Sequence, residues 1–221
     1  MTPIRSCYLT ATALMIVTSL HANVLLPGDT NKSPDIFPNP GSTPPLLGDL
    51  TGTFAVGGTV TGSWEERVAV DPFGVTCSGC LDFGFEITND PGSGGSIFGL
   101  NFGRFFGYTT DVGYVPDSGG IPPTNVSRGP FGGGIGFSLI LNAMALPPGG
   151  GTDFFVVATN AKTFDTSGVL TINAFDFATS GNISGQVNDL FEPTFIPEPS
   201  TALLLFVGLV GIAGAFRKRT T

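Results

Sequence analysis

Charge, histidine and tryptophan are all scarce in this chain. Only 12% of its 221 residues are charged, and it has one histidine and one tryptophan. The single imidazole, His21, falls in a segment read below as a removable leader, so the mature chain would have none. Histidine-activated nucleophiles, imidazole metal ligation and imidazole proton shuttling are excluded together. Cations are scarcer still in the body. With Arg5, Glu198, Arg217, Lys218 and Arg219 set apart at the ends, five cations (Lys32, Arg67, Arg104, Arg128, Lys162) stand against sixteen acids, a net of −11. Such a surface repels phosphates and anionic lipid, which excludes nucleic acid as a partner. Long apolar runs are missing too, since neither terminal stretch reaches the roughly 20 residues of an ordinary spanning helix.

Glycine, proline and phenylalanine are abundant instead, with 33, 18 and 20 residues. Gly and Pro interrupt helices and Phe fits a pleated, half-buried surface, so the composition favours turn-rich β structure. The length suits one domain with terminal segments. "LDFGFEIT" alternates most clearly: Leu81, Phe83, Phe85 and Ile87 point one way, Asp82, Gly84, Glu86 and Thr88 the other. "TVTGSWEERVAV", "IFGLNF", "IGFSLIL", "DFFVVATNA" and "GVLTINAF" add short apolar runs, separated by "NDPGSGG", "VPDSGGIPP", "RGPFGGG" and "LPPGGG". The expected fold is all-β, an antiparallel β-sandwich of jelly-roll or immunoglobulin-like topology over residues 50–194, with most Phe rings filling the space between two sheets. Residues 23–49, rich in proline, read as an extended linker or as an arm lying along the domain.

The two ends read as addresses. "MTPIRSCYLTATALMIVTSLHANV" has a cation at Arg5, an apolar run from Cys7 to Leu20 and a small residue at Ala22, the layout of a secretory leader over residues 1–22; a retained anchor is the rival reading. At the other end Ala202–Phe216 carries no charge, and as a helix it would span about 22 Å of a roughly 30 Å hydrocarbon core, a marginal anchor. Arg217, Lys218 and Arg219 would stay in the cytoplasm as a stop signal, leaving the acidic domain outside.

Pro197-Glu198-Pro199, followed by that short apolar helix and the basic cluster, resembles the PEP-CTERM sorting signal of exosortase-processed bacterial proteins. The resemblance covers residues 195–221. It implies export, transient anchoring in the inner membrane by a transmembrane helix, recognition at Pro197, Glu198 and Pro199 by an exosortase-like membrane enzyme, and delivery to the cell surface or extracellular matrix. The body, with "CSGCLDF", "GYTTDVGY" and "VVATNA", also resembles other secreted PEP-CTERM proteins, which implies a β fold and no particular activity.

Chemistry has few places to sit. Cys7 lies in the leader, which leaves Cys77 and Cys80 in "TCSGCLDF". In an exported protein, with Gly79 to turn the chain, the two are expected to form a disulfide. A redox pair would need a helix where a strand follows, and zinc would need two further ligands. Glu65, Glu66 and Glu86 are the strand carboxylates for a glycosidase or lyase, yet adjacent Glu65 and Glu66 should face opposite ways, and all three read as solvated. Asp90, Asp111, Asp117 and Asp153 offer oxygen ligands for calcium without the loop pattern of a calcium hand; otherwise no cofactor is expected. "GPFGGGIG" lacks the lysine of a phosphate-binding loop and reads as a turn. The resulting expectation is a non-enzymatic, structural or adhesive protein. A carbohydrate-binding module for exopolysaccharide, using Trp64, Tyr108 and Tyr114, is the alternative.

Overall fold

The computed structural model describes residues 24–38, 45–71, 74, 76–116, 119–140 and 145–194. The expected leader helix at 1–22 and the sorting segment at 195–221, with its spanning helix, lie outside these residues. The described chain folds into strands and turns, with no helix among them. In chain order the strands are β1 (Asp35–Ile36), β2 (Leu46–Val56), β3 (Val60–Val70), β4 (Leu81–Asn89), β5 (Gly95–Phe102) and β6 (Thr110–Val115). They continue with β7 (Asn125–Arg128), β8 (Ile135–Ser138), β9 (Phe154–Thr159), β10 (Phe164–Asp176) and β11 (Gly181–Pro193).

Two sheets result, one ordered β1-β6-β9-β4-β3-β2 and the other β11-β10-β5-β8-β7. Local hairpins explain much of this order. Gly57 and Gly58 both take left-handed φ, 60° and 77°, which lets β2 reverse into β3 through a turn that a Cβ would strain. Among the described strand pairs the expected antiparallel pattern holds except that the two-residue β1 runs parallel to β6, with Asp35 opposite Gly113; outside the strands an isolated parallel bridge joins Ile121 to Thr152. The β1–β6 pair forms because the arm enters from outside the sheet and has no hairpin to reverse it.

The inward-facing rows of the two sheets meet in one aromatic core. Phe85 of β4 lies 3.8 Å, ring centre to ring centre, from Phe102 of β5, and Phe137 of β8 stacks on Phe155 of β9 at 4.8 Å. Phe83 meets Phe105 edge-on at 5.6 Å. Each such ring contributes roughly 1.5–3 kcal/mol through area removed from water. Not every phenylalanine is inside: Phe106, Phe131, Phe175 and Phe177 are exposed.

The proline-rich stretch behaves differently along its length. Residues 24–38 lie along the domain: Val24 bridges to Asp111, Lys32 to Val126, and Leu25 and Phe37 are buried. Strand β2 begins at Leu46, inside the stretch read as linker, because the chain is free to join a ladder as soon as Pro45 is passed. The arm is clamped by Arg128. The residue is 3% exposed, and its guanidinium donates to four carbonyls: Nε to Gly132 at 3.0 Å, Nη1 to Leu25 at 2.8 Å, and Nη2 to Phe105 at 3.1 Å and Tyr108 at 2.6 Å.

Candidate functional site

After β3 the chain leaves the sheet at Asp71 and returns through the cysteine turn into β4. Cys77 and Cys80 are joined in a disulfide with their Cα atoms 5.3 Å apart, within the span that such a bridge needs. Gly79, at φ 74°, makes the turn, and the Cys80 amide donates to the Cys77 carbonyl at 3.1 Å. Asp71 accepts from the Thr76 amide at 3.0 Å, and Thr76 Oγ1 donates to the Thr159 carbonyl at 2.6 Å, which seats this segment on the outer face of the six-stranded sheet.

That face carries an acidic cluster which the strand pattern alone conceals. Asp82 of β4 and Asp111 of β6 both stand opposite Ala158 of β9, so the two carboxylates lie in one row with only a methyl group between them. Asp82 is 4% exposed and Asp111 1% exposed, and no donor among the described residues hydrogen-bonds any of their four oxygens. Burial pushes the Asp82 carboxyl up to about 9, with neighbouring Asp71 and then Asp111 adding to the rise. Asp111 rises to about 6 through burial first, then Asp35 and Asp71; the Val112 amide, close by but outside hydrogen-bonding geometry, offsets part of this. The alternation in "LDFGFEIT" puts Asp82 on the face opposite Phe83 and Phe85, and at Asp82 that face too is buried.

A second buried carboxyl lies between the sheets. Glu66, expected to be solvated, is fully buried on the inner face of β3, opposite Leu50 and Phe85. Its Oε2 accepts from the Phe191 amide at 2.7 Å and its Oε1 has no partner. Burial raises its pKa to about 9, eased by the Phe191 amide and raised again by Glu192. Glu192 is also pushed up by burial; its Oε1 accepts from Ser167 Oγ and from Arg104 Nη1.

Glu65 and Glu86 do share a face, as direct cross-strand neighbours. They line a depression of about 360 Å³ with the hydroxyl residues Thr51, Thr53, Ser63 and Thr88. Arg67 forms an ion pair with Glu65 and sits 5.4 Å over the Phe154 ring. Glu66 is on the opposite side of the sheet and cannot join them.

Trp64, the sugar-stacking candidate of the alternative reading, is partly buried: it packs against the core over Gly52, where a Cβ would fall 2.6 Å from the indole, and it also lines the depression of Glu65 and Glu86. Tyr114 also packs against the core, and the Tyr108 hydroxyl donates to the Thr194 carbonyl. The open aromatic surface lies elsewhere. Phe98, Phe175 and Phe177 line a groove of about 510 Å³ on the outer face of the other sheet, with Ser96 and Asn182. Of the four acids that could offer calcium ligands, Asp117 lies outside the described residues; among those described no group of three or more acids, cysteines or histidines could hold a metal ion.

The sequence-predicted sorting residues Pro197, Glu198 and Pro199, and the stop cluster Arg217, Lys218 and Arg219, lie outside the described residues, so they are assigned by sequence. Comparison with curated proteins found no match to this chain. A family model, the PEP-CTERM protein-sorting motif, matches residues 195–219. The chain therefore carries a PEP-CTERM protein-sorting motif, which implies an exported protein processed by an exosortase and sorted to the cell surface.

Proposed function

We propose that the mature protein is a structural or adhesive component of the cell surface or extracellular matrix, without catalytic activity. The observation that carries this reading is the sorting motif at residues 195–219, adjoining an acidic two-sheet domain. The acids that could have formed a catalytic pair support it as well. Glu66 is sealed between the sheets, and Glu65 is neutralised by Arg67. In this reading Pro197, Glu198 and Pro199 are read by the exosortase, and Arg217, Lys218 and Arg219 hold the tail at the inner face until the tail is removed. Replacing all three motif residues with alanine is expected to leave the tail attached and the chain in the membrane fraction, as followed by mass spectrometry of membrane and surface fractions. Surface delivery of an uncut triple variant would defeat the sorting reading, and turnover of a polysaccharide by the purified protein would defeat the non-enzymatic one.

The groove of Phe98, Phe175 and Phe177 favours a second reading, a module that binds exopolysaccharide by stacking sugar faces on exposed rings beside an amide and a hydroxyl. Phe175→Ala with Phe177→Ala is expected to weaken binding of the producer's own exopolysaccharide at least about tenfold, equivalent to about 1.4 kcal/mol. Unchanged retention in a binding titration would remove this reading.

A further inference from the structure

The two sides of the sandwich, where the sheets end, are finished differently. On one side the N-terminal arm closes both sheets. Its β1 pairs with β6, the Leu25 amide donates to the Thr110 carbonyl at 2.8 Å, and Lys32 exchanges amide–carbonyl bonds with Val126 of β7 at 3.0 and 2.8 Å. On the other side β2 and β11 are the outermost strands of their sheets, and no described residue pairs with the outward flank of either. An open edge offers its unpaired N–H and C=O groups to any strand that can match it.

Of the two, β11 is the less guarded. Strand β2 starts with a register shift between Leu46 and Gly48 and carries Asp49. In β11 the irregularity sits at the far end, where Asp189 bulges at φ 63°; ahead of it Gly181–Asn188 runs in unbroken register along β10, from Asp176 opposite Gly181 to Val169 opposite Asn188. This stretch holds no charge and no proline, the usual devices against edge pairing. Among the described residues its backbone bonds to nothing but β10. Its inner face is seated on the other sheet, since a Cβ on Gly185 would fall 3.0 Å from a Val56 methyl, so only the flank is open.

The sequence of that flank is symmetric. Around Gly185 it reads Asn182-Ile183-Ser184 before and Gln186-Val187-Asn188 after, so amide answers amide, branched apolar answers branched apolar, and hydroxyl answers amide. We propose that β11 is a self-pairing edge, on which a second copy of this chain docks antiparallel about Gly185 and merges the two five-stranded sheets into one. Residues directly opposite in an antiparallel pair share a face, and under a two-fold axis each contact occurs twice. Asn182 then meets Asn188 of the second copy and Ser184 meets its Gln186 on the exposed face, where both pairs can exchange side-chain hydrogen bonds. Ile183 meets Val187 on the half-buried face and extends the apolar row. Asp189 falls beside Gly181 of the second copy, which keeps the two bulge carboxylates at opposite ends of the pair. An unrelated strand would have no use for this symmetry; a second copy requires it. The inference needs only the strand and its sequence, so it stands or falls separately from the structural and sugar-binding readings.

Sedimentation equilibrium of the exported protein, purified from the producing cell, is the test, and a dimer is expected over micromolar to submillimolar concentrations. Ser184→Glu with Gln186→Glu, both at exposed positions, sets like charges directly opposite one another twice and should weaken the dimer at least about tenfold. Ser184→Lys with Gln186→Lys should do the same alone, and an equal mixture of the two double variants should recover a mixed dimer. Exchange of amide hydrogens in the unaltered protein supplies a second readout: amides within Gly181–Asn188 should lose protection on dilution while those of β10 do not. A monomer at every concentration overturns the proposal. So does a dimer that neither double variant weakens, which would place the contact on another face, and so does a mixture that stays monomeric or an open-ended polymer in place of the dimer. Should the variants fail to fold, the exchange experiment decides, and protection of β11 that is independent of concentration overturns the self-pairing edge.

Discussion

Replacing Arg128 with methionine is expected to lower the unfolding free energy by about 3–5 kcal/mol, the scale for removing one partner of a buried charged contact. The side chain brings five N–H donors on a planar fork, and four of its bonds end on carbonyls from three separate segments: Leu25 of the arm, Phe105 and Tyr108 after β5, and Gly132 of the β7–β8 turn. Among the described residues no carboxylate pairs with it, and burial lowers its pKa from the ordinary value, so the carbonyl dipoles compensate the lost hydration. Methionine fills much of the volume but takes the guanidinium donors from the Phe105, Tyr108 and Gly132 carbonyls and leaves the Leu25 carbonyl with Thr110 Oγ1 alone. Arg128→Lys restores the charge without the fork and should recover part of the loss. Urea unfolding of the purified protein measures both, and protease cleavage within residues 24–38 should accelerate in step. A loss below about 1 kcal/mol, the range of an ordinary hydrogen bond, would show that the arm is held by Leu25 and Phe37 burial instead.

Glu66 is expected to make the domain less stable as pH rises from about 5 to about 9. Unfolded, its carboxyl ionises around 4.5; folded, burial keeps its proton until about 9. Between those values the folded state binds more protons than the unfolded state, so stability falls with increasing pH, by up to about 1.4 kcal/mol per unit for the one group. Glu66→Gln keeps the shape and the acceptor for the Phe191 amide while removing the ionisation. It should be close to neutral at pH 4.5 and stabilise by about 1–3 kcal/mol at pH 8, a conservative share of that linkage. Urea midpoints of wild type and variant across pH 4.5–9 test this. Parallel profiles would mean that Glu66 reaches solvent or a proton partner in the folded state. Asp82 should add a slope of the same sign, because its folded value is also raised to about 9.

Both predictions concern residues whose importance could not be read from the strand pattern. Alternation in "LDFGFEIT" placed Leu81, Phe83, Phe85 and Ile87 on one face correctly, and all four are buried. The same alternation put Asp82 and Glu66 on definite faces of their strands but could not say what lies over those faces. Asp82 stands near Asp71, where the chain leaves β3, and near Asp111 of β6, and Glu66 is covered by Phe191 near the end of β11, 125 positions away along the chain. Trp64 is drawn partly inward for the same reason. It shares the inner face of β3 with Glu66 and Val68, and the glycine opposite gives its ring a seat. The exposed aromatics include Phe175 on the outer face of β10 and Phe177 just after it, which line the groove with Phe98.

Local covalent and short-range information determined by itself the β class, the cysteine turn around Gly79 and the sorting motif at residues 195–219, because each depends on neighbours within a few positions. Tertiary structure alone decided which carboxylates lose water, where the single tryptophan points, and that the arm from Val24 lies beside Asp111. The physical reason is that burial, and with it every shifted protonation equilibrium, is a property of what covers a side chain; here the cover comes from segments tens of residues distant, whose arrival the periodicity of one strand cannot encode.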